Sequence, residues 1–323
     1  MPITVNSNPA ATSASFYLSR NNYALQKSIN RLSSGSRIVH PNDDAGGLAV
    51  SMKLESTITR LKGTEKNIRN AISYLEVQDG VYSNVGKIMN RMIELKGLSQ
   101  DVLKNSSDND NYNKEFRNLQ VQLYDMSKLT FNGVSMFANH TTKTGSQEAL
   151  FDDMEQDLGL DNTMSIFVSS DGTAGPKVSI NKGLLLSALT INSSTKDSDE
   201  WTQARGHTDA ATRKANNLYT FASETYASAI KLEEMSVGVF TQALENIATL
   251  RADNGGTMSR LRYASDNVTL QERNFVAANG RIVDVDIAAE STRLAKYQIL
   301  SQASASMIAQ ANSAMEIALM LFR

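Results

Sequence analysis

The sequence predicts a mainly α-helical fold. Paired N- and C-terminal arms form a long helical bundle or coiled coil, and a small middle region contains a β-hairpin. Apolar residues recur at helical spacing near both ends of the chain. Proline is absent from residues 42–175 and 177–323, so long uninterrupted helices are possible there. Strand-like alternation around a glycine-containing turn occurs between residues 164 and 180.

The terminal helices are predicted from two stripes with the same spacing. The first consists of Ala11, Ala14, Leu18, Asn22, Leu25, Ile29 and Leu32. The second consists of Leu300, Ala303, Met307, Ala311, Ala314, Ala318 and Leu321. Each stripe lies on one side of its helix and cannot be buried within it, so we expect the two ends to pack together. Two consecutive steps of four residues relax the left-handed supercoil of a heptad repeat. The predicted assembly interface is Leu18, Leu25, Ile29, Leu32, Leu300, Ala303, Met307, Ala311 and Leu321.

The N-terminal half is predicted to contain three helices. The first spans about residues 11–33 and ends at Ser34-Gly35. The second begins near Ala45, after a turn, and continues to about residue 103. A polar loop over residues 105–113 precedes a third helix at about 115–128. We expect Gly133 to supply a left-handed turn that ends this third helix.

The middle and C-terminal half follow a different pattern. Residues 164–168 and 177–180 predict a β-hairpin around Ser170-Asp171-Gly172. The polar residues 192–209 predict an exposed loop. Helical periodicity returns at about Leu218, is interrupted at Gly255-Gly256, and then continues into the terminal helix.

Composition and motifs indicate no chemistry at a catalytic or cofactor site. The net charge is −2, which does not favour nucleic acid or an anionic membrane as a partner. The sequence has no apolar run long enough to span a membrane and no secretory signal pattern. It also has no catalytic motif, so we expect no enzyme activity and no cofactor. Cysteine is absent, which fits either a cytosolic protein or one that is exported unfolded. The carboxylate pairs Asp43-Asp44 and Asp284/Asp286 could bind Ca²⁺, but helix capping is the favoured interpretation.

Several motifs together resemble the bacterial flagellins. They are INRLSSGSRI at 29–38, DDAGGLA at 43–49, RMIEL at 91–95, FNGV at 131–134, RIVDVD at 281–286, QILSQA at 298–303 and AQAN at 309–312. The resemblance covers about residues 1–135 and 240–323. Two departures are a last helix without the usual proline and a C-terminus that ends in Phe322-Arg323.

The resemblance implies a subunit that polymerises with itself into the flagellar filament used for motility. Residues 1–45 with 280–323 would form an inner coiled-coil domain, 46–279 a rod-like helical domain, and 192–209 a variable loop. Expected partners are the export chaperone and export apparatus, and the hook-associated and cap proteins, with an extracellular location. A hook–filament junction protein is the alternative, and an exported effector or adhesin is a further one.

The family resemblance also points to a contact surface at Arg91, Leu95 and Glu115. In flagellins the similar segment forms a surface for a host innate immune receptor. Arg91 and Leu95 are four residues apart, so we expect them to share a helix face. Contact with a neighbouring subunit is the favoured primary role of this face, with receptor binding by released monomers as a secondary one.

Overall fold

The computed structural model describes residues 8–138, 163–192 and 218–321 and confirms a mainly α-helical fold. The helices are α1 (Pro9–Ser34), α2 (Ala45–Ser99), α3 (Ser106–Ser127), α4 (Leu185–Ala188), α5 (Val237–Val283) and α6 (Ile287–Leu321). The strands form three antiparallel pairs: β1 (Thr130–Phe131) with β2 (Val134–Ser135), β3 (Thr163–Phe167) with β4 (Lys177–Asn181), and β5 (Thr190–Asn192) with β6 (Leu218–Thr220). The chain divides into two compact units, Met1–Arg60 with Leu270–Arg323, and Leu61–Thr269.

The first unit contains α1 and α6, whose boundaries follow from local capping. The Asn8 side chain accepts a hydrogen bond from the Ala11 amide, and Pro9 occupies the first turn, where it costs no helical hydrogen bond. Gly35 ends α1 with a φ of 70°, a left-handed conformation that glycine adopts without steric cost. The predicted first helix and its end are therefore confirmed.

Aspartates organise the turns before α2 and α6. Asp44 accepts from the Gly47 amide at 2.8 Å and caps α2, and Asp286 accepts from the Ala288 and Ala289 amides and caps α6. Asp43 instead holds the preceding turn, by an ion pair with Lys27 at 2.6 Å and bonds from two backbone amides. The Lys27 hydrogen bond, with these amides, lowers the pKa of the Asp43 carboxyl to about 2. Helix capping is confirmed for Asp44 and Asp286.

The second unit has an extensive apolar core. Phe240 of α5 packs against Phe221 and Phe116, with ring centroids 4.8 and 6.0 Å apart. The most deeply buried side chains in this unit include Leu61, Ile68, Leu75, Tyr82, Met89, Met92, Leu95, Phe116, Leu123, Phe137, Phe221 and Phe240. The predicted hairpin is confirmed as β3 and β4, which pair in register from Thr163–Asn181 to Phe167–Lys177.

One predicted loop and one predicted helix end were wrong in the N-terminal half. Residues 106–113 are helical, because Asn105 and Asp108 form a capping box in which each side chain accepts from the other residue's backbone amide. Asn132 and Gly133 do not end a helix. Their positive φ values, 49° and 78°, are those of a two-residue type I′ turn between β1 and β2.

The helix predicted from Leu218 was also wrong. Residues 218–220 form β6, and α5 begins only at Val237. The Ser223, Thr225 and Ser228 hydroxyls bond to each other and to nearby backbone groups, which competes with helix formation.

Side chains from α2 and α3 then replace the helical hydrogen bonds of this segment. Gln120 bonds both backbone groups of Ile230. Asn113 and Lys96 bond the amide and the carbonyl of Leu232.

Gly255 and Gly256 lie inside α5 and do not interrupt it. Each costs roughly 1 kcal/mol relative to alanine, and burial of Leu250 and Leu261 on either side offsets that cost.

In the predicted exposed segment 192–209, Asn192 is the last residue of β5, and residues 193–209 lie outside the described ranges.

Candidate assembly surfaces

The seam between α1 and α6 has a regular heptad spacing. On α1 the residues that face α6 are Ala11, Ala14, Leu18, Asn21, Leu25, Ser28 and Leu32. On α6 the corresponding residues are Glu290, Leu294, Tyr297, Ser301, Ser304, Ile308 and Ala311. Steps of three and four alternate throughout both sets, which is the pattern of a left-handed coiled coil. The predicted pairing of the two ends is confirmed, but the predicted consecutive steps of four do not occur in the seam.

Polar contacts hold the two helices in register. The Asn21 side-chain amide donates to the Ser304 hydroxyl at 3.1 Å, and the Ser301 hydroxyl donates to the side-chain amide oxygen (Oδ1) of Asn22 at 2.5 Å. Asn8 donates to the Ala311 carbonyl oxygen at 3.0 Å. Polar residues inside a coiled coil fix register at a cost in stability.

A buried charge lies at one end of the seam. Glu290 is only 2 % exposed and pairs with Arg293 at 3.0 Å and Arg31 at 3.9 Å. Loss of the arginine partners would leave the Glu290 charge buried and unsatisfied. The contact between Glu290 and Arg31 therefore constrains how α1 and α6 align.

Several large apolar side chains of both helices point away from the seam. Ile29 is 45 % exposed, and Met307 is 62 % exposed. Leu300 and Ala303 are also exposed, whereas Leu18, Leu25, Leu32 and Ala311 are half-buried in the seam. The side chain of Leu321 lies outside the described residues. Ile29, Leu300, Ala303 and Met307 therefore lie outside the heptad positions of the seam, and their place in an assembly interface stays a prediction.

Other exposed apolar residues were not selected from the sequence. They are Phe16, Tyr17, Tyr23, Ile299, Ile317 and Met320. Phe16 is 65 % exposed and Ile299 is 68 % exposed, although both lie in helices that pair with each other. The sequence does signal this surface, because apolar residues recur on a second face of each helix. A prediction of one apolar stripe per helix does not include them.

The second candidate surface contains Arg91 and Glu115. The Arg91 guanidinium donates from Nε and Nη2 to the two carboxylate oxygens of Glu115, at 2.8 and 3.1 Å, and from Nη1 to Glu94 at 2.8 Å. These hydrogen bonds, that with Glu115 above all, raise the pKa of Arg91 further above its usual range. The pair is exposed and joins α2 to α3.

Leu95 does not belong to this exposed surface. It is fully buried in the core of the second unit, although Arg91 is four residues away. An offset of four residues turns the helix by about 40°, which is enough here to separate the core from the solvent face. Leu95 is therefore not available as an apolar anchor beside Arg91 on the surface of the folded unit.

Comparison with known proteins decides the family. The family model of the bacterial flagellin N-terminal helical region matches residues 5–142, and that of the C-terminal helical region matches residues 237–321. Together they cover well over half of the chain. The chain belongs to the bacterial flagellin family. It is thus a structural subunit of the flagellar filament, and the comparisons do not favour the hook–filament junction alternative.

Relatives named flagellin match almost the entire chain. The Bacillus subtilis flagellin is 28 % identical over 99 % of both chains. Flagellin FlaB1 of Treponema pallidum is 26 % identical, again over 99 % of both chains. The crystal structure of Bacillus cereus flagellin is 20 % identical, with a TM-score of 0.39, and covers 66 % of this chain and 94 % of that one. Within the described ranges, none of the helices has the length and hydropathy needed to cross a membrane.

Proposed function

We propose that this flagellin polymerises through the exposed apolar faces of the α1–α6 pair, and that neighbouring subunits complete the burial of these helices. The observation that carries the proposal is the large apolar surface that the seam leaves uncovered. Small and polar residues such as Asn21, Ser301 and Ser304 lie at the seam, whereas Phe16, Ile299 and Met307 face solvent. An exposed apolar surface of this kind is typical of a protein–protein interface.

This arrangement couples folding to assembly. The apolar residues of the seam are only half-buried, so their burial offsets only part of the conformational entropy lost when two long helices become ordered. Contacts with neighbours would supply the missing burial. On this basis residues 1–45 and 280–323 form the inner domain of the filament, 46–279 form its wall, and 192–209 lie at its outer surface.

The remaining partners follow from the role of a filament subunit. Export through the flagellar export apparatus, with its chaperone, would deliver the chain to an extracellular filament bounded by hook-associated and cap proteins. The chain has no cysteine, so no disulfide would oppose passage in an unfolded state. The role is structural, without a catalytic step. The Arg91–Glu115 pair would contact a neighbouring subunit, and receptor binding by released monomers would be secondary.

Removal of residues 307–323 tests the proposal. We expect a soluble protein whose second unit melts as in the full chain, because the core residues of that unit are retained. This variant should not form filaments when mixed with filament seeds, whereas the full chain should elongate them. Sedimentation and electron microscopy measure the result. Filaments of normal length from the truncated chain would contradict the proposal.

A further inference from the structure

An apolar tip projects from the turn between α2 and α3. Val102 is 96 % exposed and Leu103 is 91 % exposed, the highest values for large apolar side chains among the described residues. The tip, defined as Val102 and Leu103, occupies the centre of a turn in which the Lys104 amide donates to the Asp101 carbonyl oxygen at 3.1 Å. The Asp101 carboxylate accepts from the Leu103 amide at 3.0 Å. Polar residues and glycine are usual in such turns, so two apolar residues on an ordered turn need an explanation.

An open apolar groove lies elsewhere in the same unit. It has a volume of about 330 Å³ and lies between α2, the β1–β2 turn and strand β3. Its walls include Tyr74, Phe131, Val134, Met164, Ile166 and Phe167. Val134 is 43 % exposed at the rim, and Tyr74 is fixed at the base by hydrogen bonds to the Ser135 and Met136 carbonyl oxygens. The groove is at the small end of the range for binding pockets, which suits one or two side chains.

The tip and the groove lie at different positions along helix α2. Ala71 in α2 lines the groove, and α2 ends at Ser99, just before the tip. These two residues are 28 positions apart, so the two levels are about 42 Å apart along the helix, at a rise of about 1.5 Å per residue. The tip therefore cannot enter the groove of its own chain.

We infer that the tip of one subunit inserts into the groove of the next copy of this chain along the filament. The occupant is a second copy because the chain belongs to a family of polymerising subunits and carries both halves of the contact. A knob and a groove on different parts of one molecule form a heterologous contact, which repeats without closing. The expected axial step between successive subunits is about 40–50 Å. The inference rests on the proposed function, since it assumes assembly into filaments.

Engineered cysteines test this contact cleanly, because the chain contains no cysteine of its own. The double variant Leu103→Cys/Val134→Cys should assemble and, on oxidation, give a ladder of covalent oligomers. A disulfide requires Cβ atoms roughly 3.5–4.5 Å apart, so only a direct contact gives this product. Each single variant should give no ladder. The matched control Asp110→Cys/Val134→Cys, with an exposed position in the second turn of α3, should also give none.

Filaments without a ladder from the double variant would overturn the inference. Dimers from Leu103→Cys alone would also overturn it, because the tips would then meet each other.

Alkylation of the Val134→Cys thiol measures whether the groove is accessible. The Val134→Cys thiol should react in the monomer and become protected in filaments, and protection already in the monomer would show that the chain covers its own groove. Absence of filaments from the unmodified chain would overturn the proposed function as well.

A substitution without cysteine gives an independent measure. Leu103→Gln should raise the critical concentration for polymerisation about tenfold while the melting temperature of the monomer stays unchanged, because Leu103 makes no buried contact. The control Asp110→Ala should leave the critical concentration unchanged. An unchanged critical concentration for Leu103→Gln, or an axial step far outside 40–50 Å in a helical reconstruction, would contradict the inference.

Discussion

The α1–α6 pair and the second unit bury their side chains in opposite ways. In the described part of the pair, the fully buried positions are Ser28 of α1 and Glu290 of α6, both polar. In the second unit, phenylalanine, leucine and methionine side chains fill the core, and Phe240 is completely buried. The second unit therefore has the contacts of an independently stable domain, whereas the pair lacks them. The difference indicates that a long helix can be specified by its sequence while its stability is left to its neighbours.

Truncation of an apolar side chain to alanine should have its largest effect on monomer stability in the second unit and only a small effect in the pair. Phe240→Ala removes a ring that packs on Phe116 and Phe221, and we expect a loss of about 3–5 kcal/mol in the free energy of unfolding of the second unit. Ile299→Ala, at a position 68 % exposed, should change monomer stability by less than about 0.5 kcal/mol. It should nevertheless weaken polymerisation. Denaturant titration and seeded elongation measure the two effects, and a large loss of monomer stability in Ile299→Ala would contradict the comparison.

Limited proteolysis should separate the two regions next. In the unpolymerised protein, we expect early cleavage before about residue 42 and after about residue 284, because local opening is easiest where few apolar contacts are buried. The second unit should yield a fragment that persists. In filaments the ends should become resistant. Mass spectrometry of the early fragments identifies the cut sites, and equal resistance of ends and core in the monomer would argue against coupled folding and assembly.

The parts that sequence could predict are those fixed by local signals. Gly35 ends α1, and Asp44 and Asp286 cap the helices that follow them, each through a conformation or hydrogen bond set by a few neighbouring residues. The capping box at Asn105 and the Asn132-Gly133 turn carry equally local signals that a search for apolar periodicity overlooks. Both boundaries therefore follow from sequence motifs only a few residues long.

The parts that sequence could not predict depend on tertiary contacts. Residues 221–236 show helical spacing, yet Gln120, Asn113 and Lys96 bind their backbone from other helices. On α6, small and apolar residues occur on several faces, so spacing alone could not distinguish the seam at Ser301 and Ser304 from the exposed face at Leu300 and Met307. Leu95 and Arg91 also differ in burial, since tertiary packing and not sequence spacing decides which part of α2 is covered.

A change in pH should affect a turn in the first unit. Asp43 pairs with Lys27 at 2.6 Å and has a pKa of about 2 in the folded state, below its ordinary value of 3.8. Because the folded pKa is depressed, the ionised carboxylate stabilises the turn above about pH 4, and this stabilisation is lost as the pH falls through about 2. Asp43→Asn should therefore lower stability at pH 7 and have little effect near pH 2. Acid titrations followed by circular dichroism compare the variants, and an equal deficit at both pH values would contradict the assignment.

A smaller effect is expected at the surface of the second unit. Arg91→Ala removes a bidentate contact with Glu115, but the pair is exposed, so monomer stability should change little. We expect slower filament elongation and weaker binding of the monomer to the ectodomain of the receptor. Arg251→Ala is the matched control, since Arg251 makes a similar bidentate contact with Asp79 at 2.9 and 3.1 Å. Unchanged assembly together with reduced receptor binding would show that receptor contact, not subunit contact, is the main role of Arg91.

The smallest effect should come from an insertion in the polar segment 192–209. This segment begins at the end of β5, and its Ser, Thr, Asp and Lys residues give it neither a helical nor a strand pattern. Insertions in exposed polar segments cost little because loop closure entropy grows only slowly with length. A short peptide tag after Asp199 should therefore leave filament length unchanged, and the tag should be accessible to antibody along the whole filament. The same tag inserted after Ser301 should abolish assembly, because it would shift the α6 residues that follow out of the heptad seam with α1. Loss of filaments from the Asp199 insertion, or filaments whose tag is hidden from antibody, would refute an outward position for this segment.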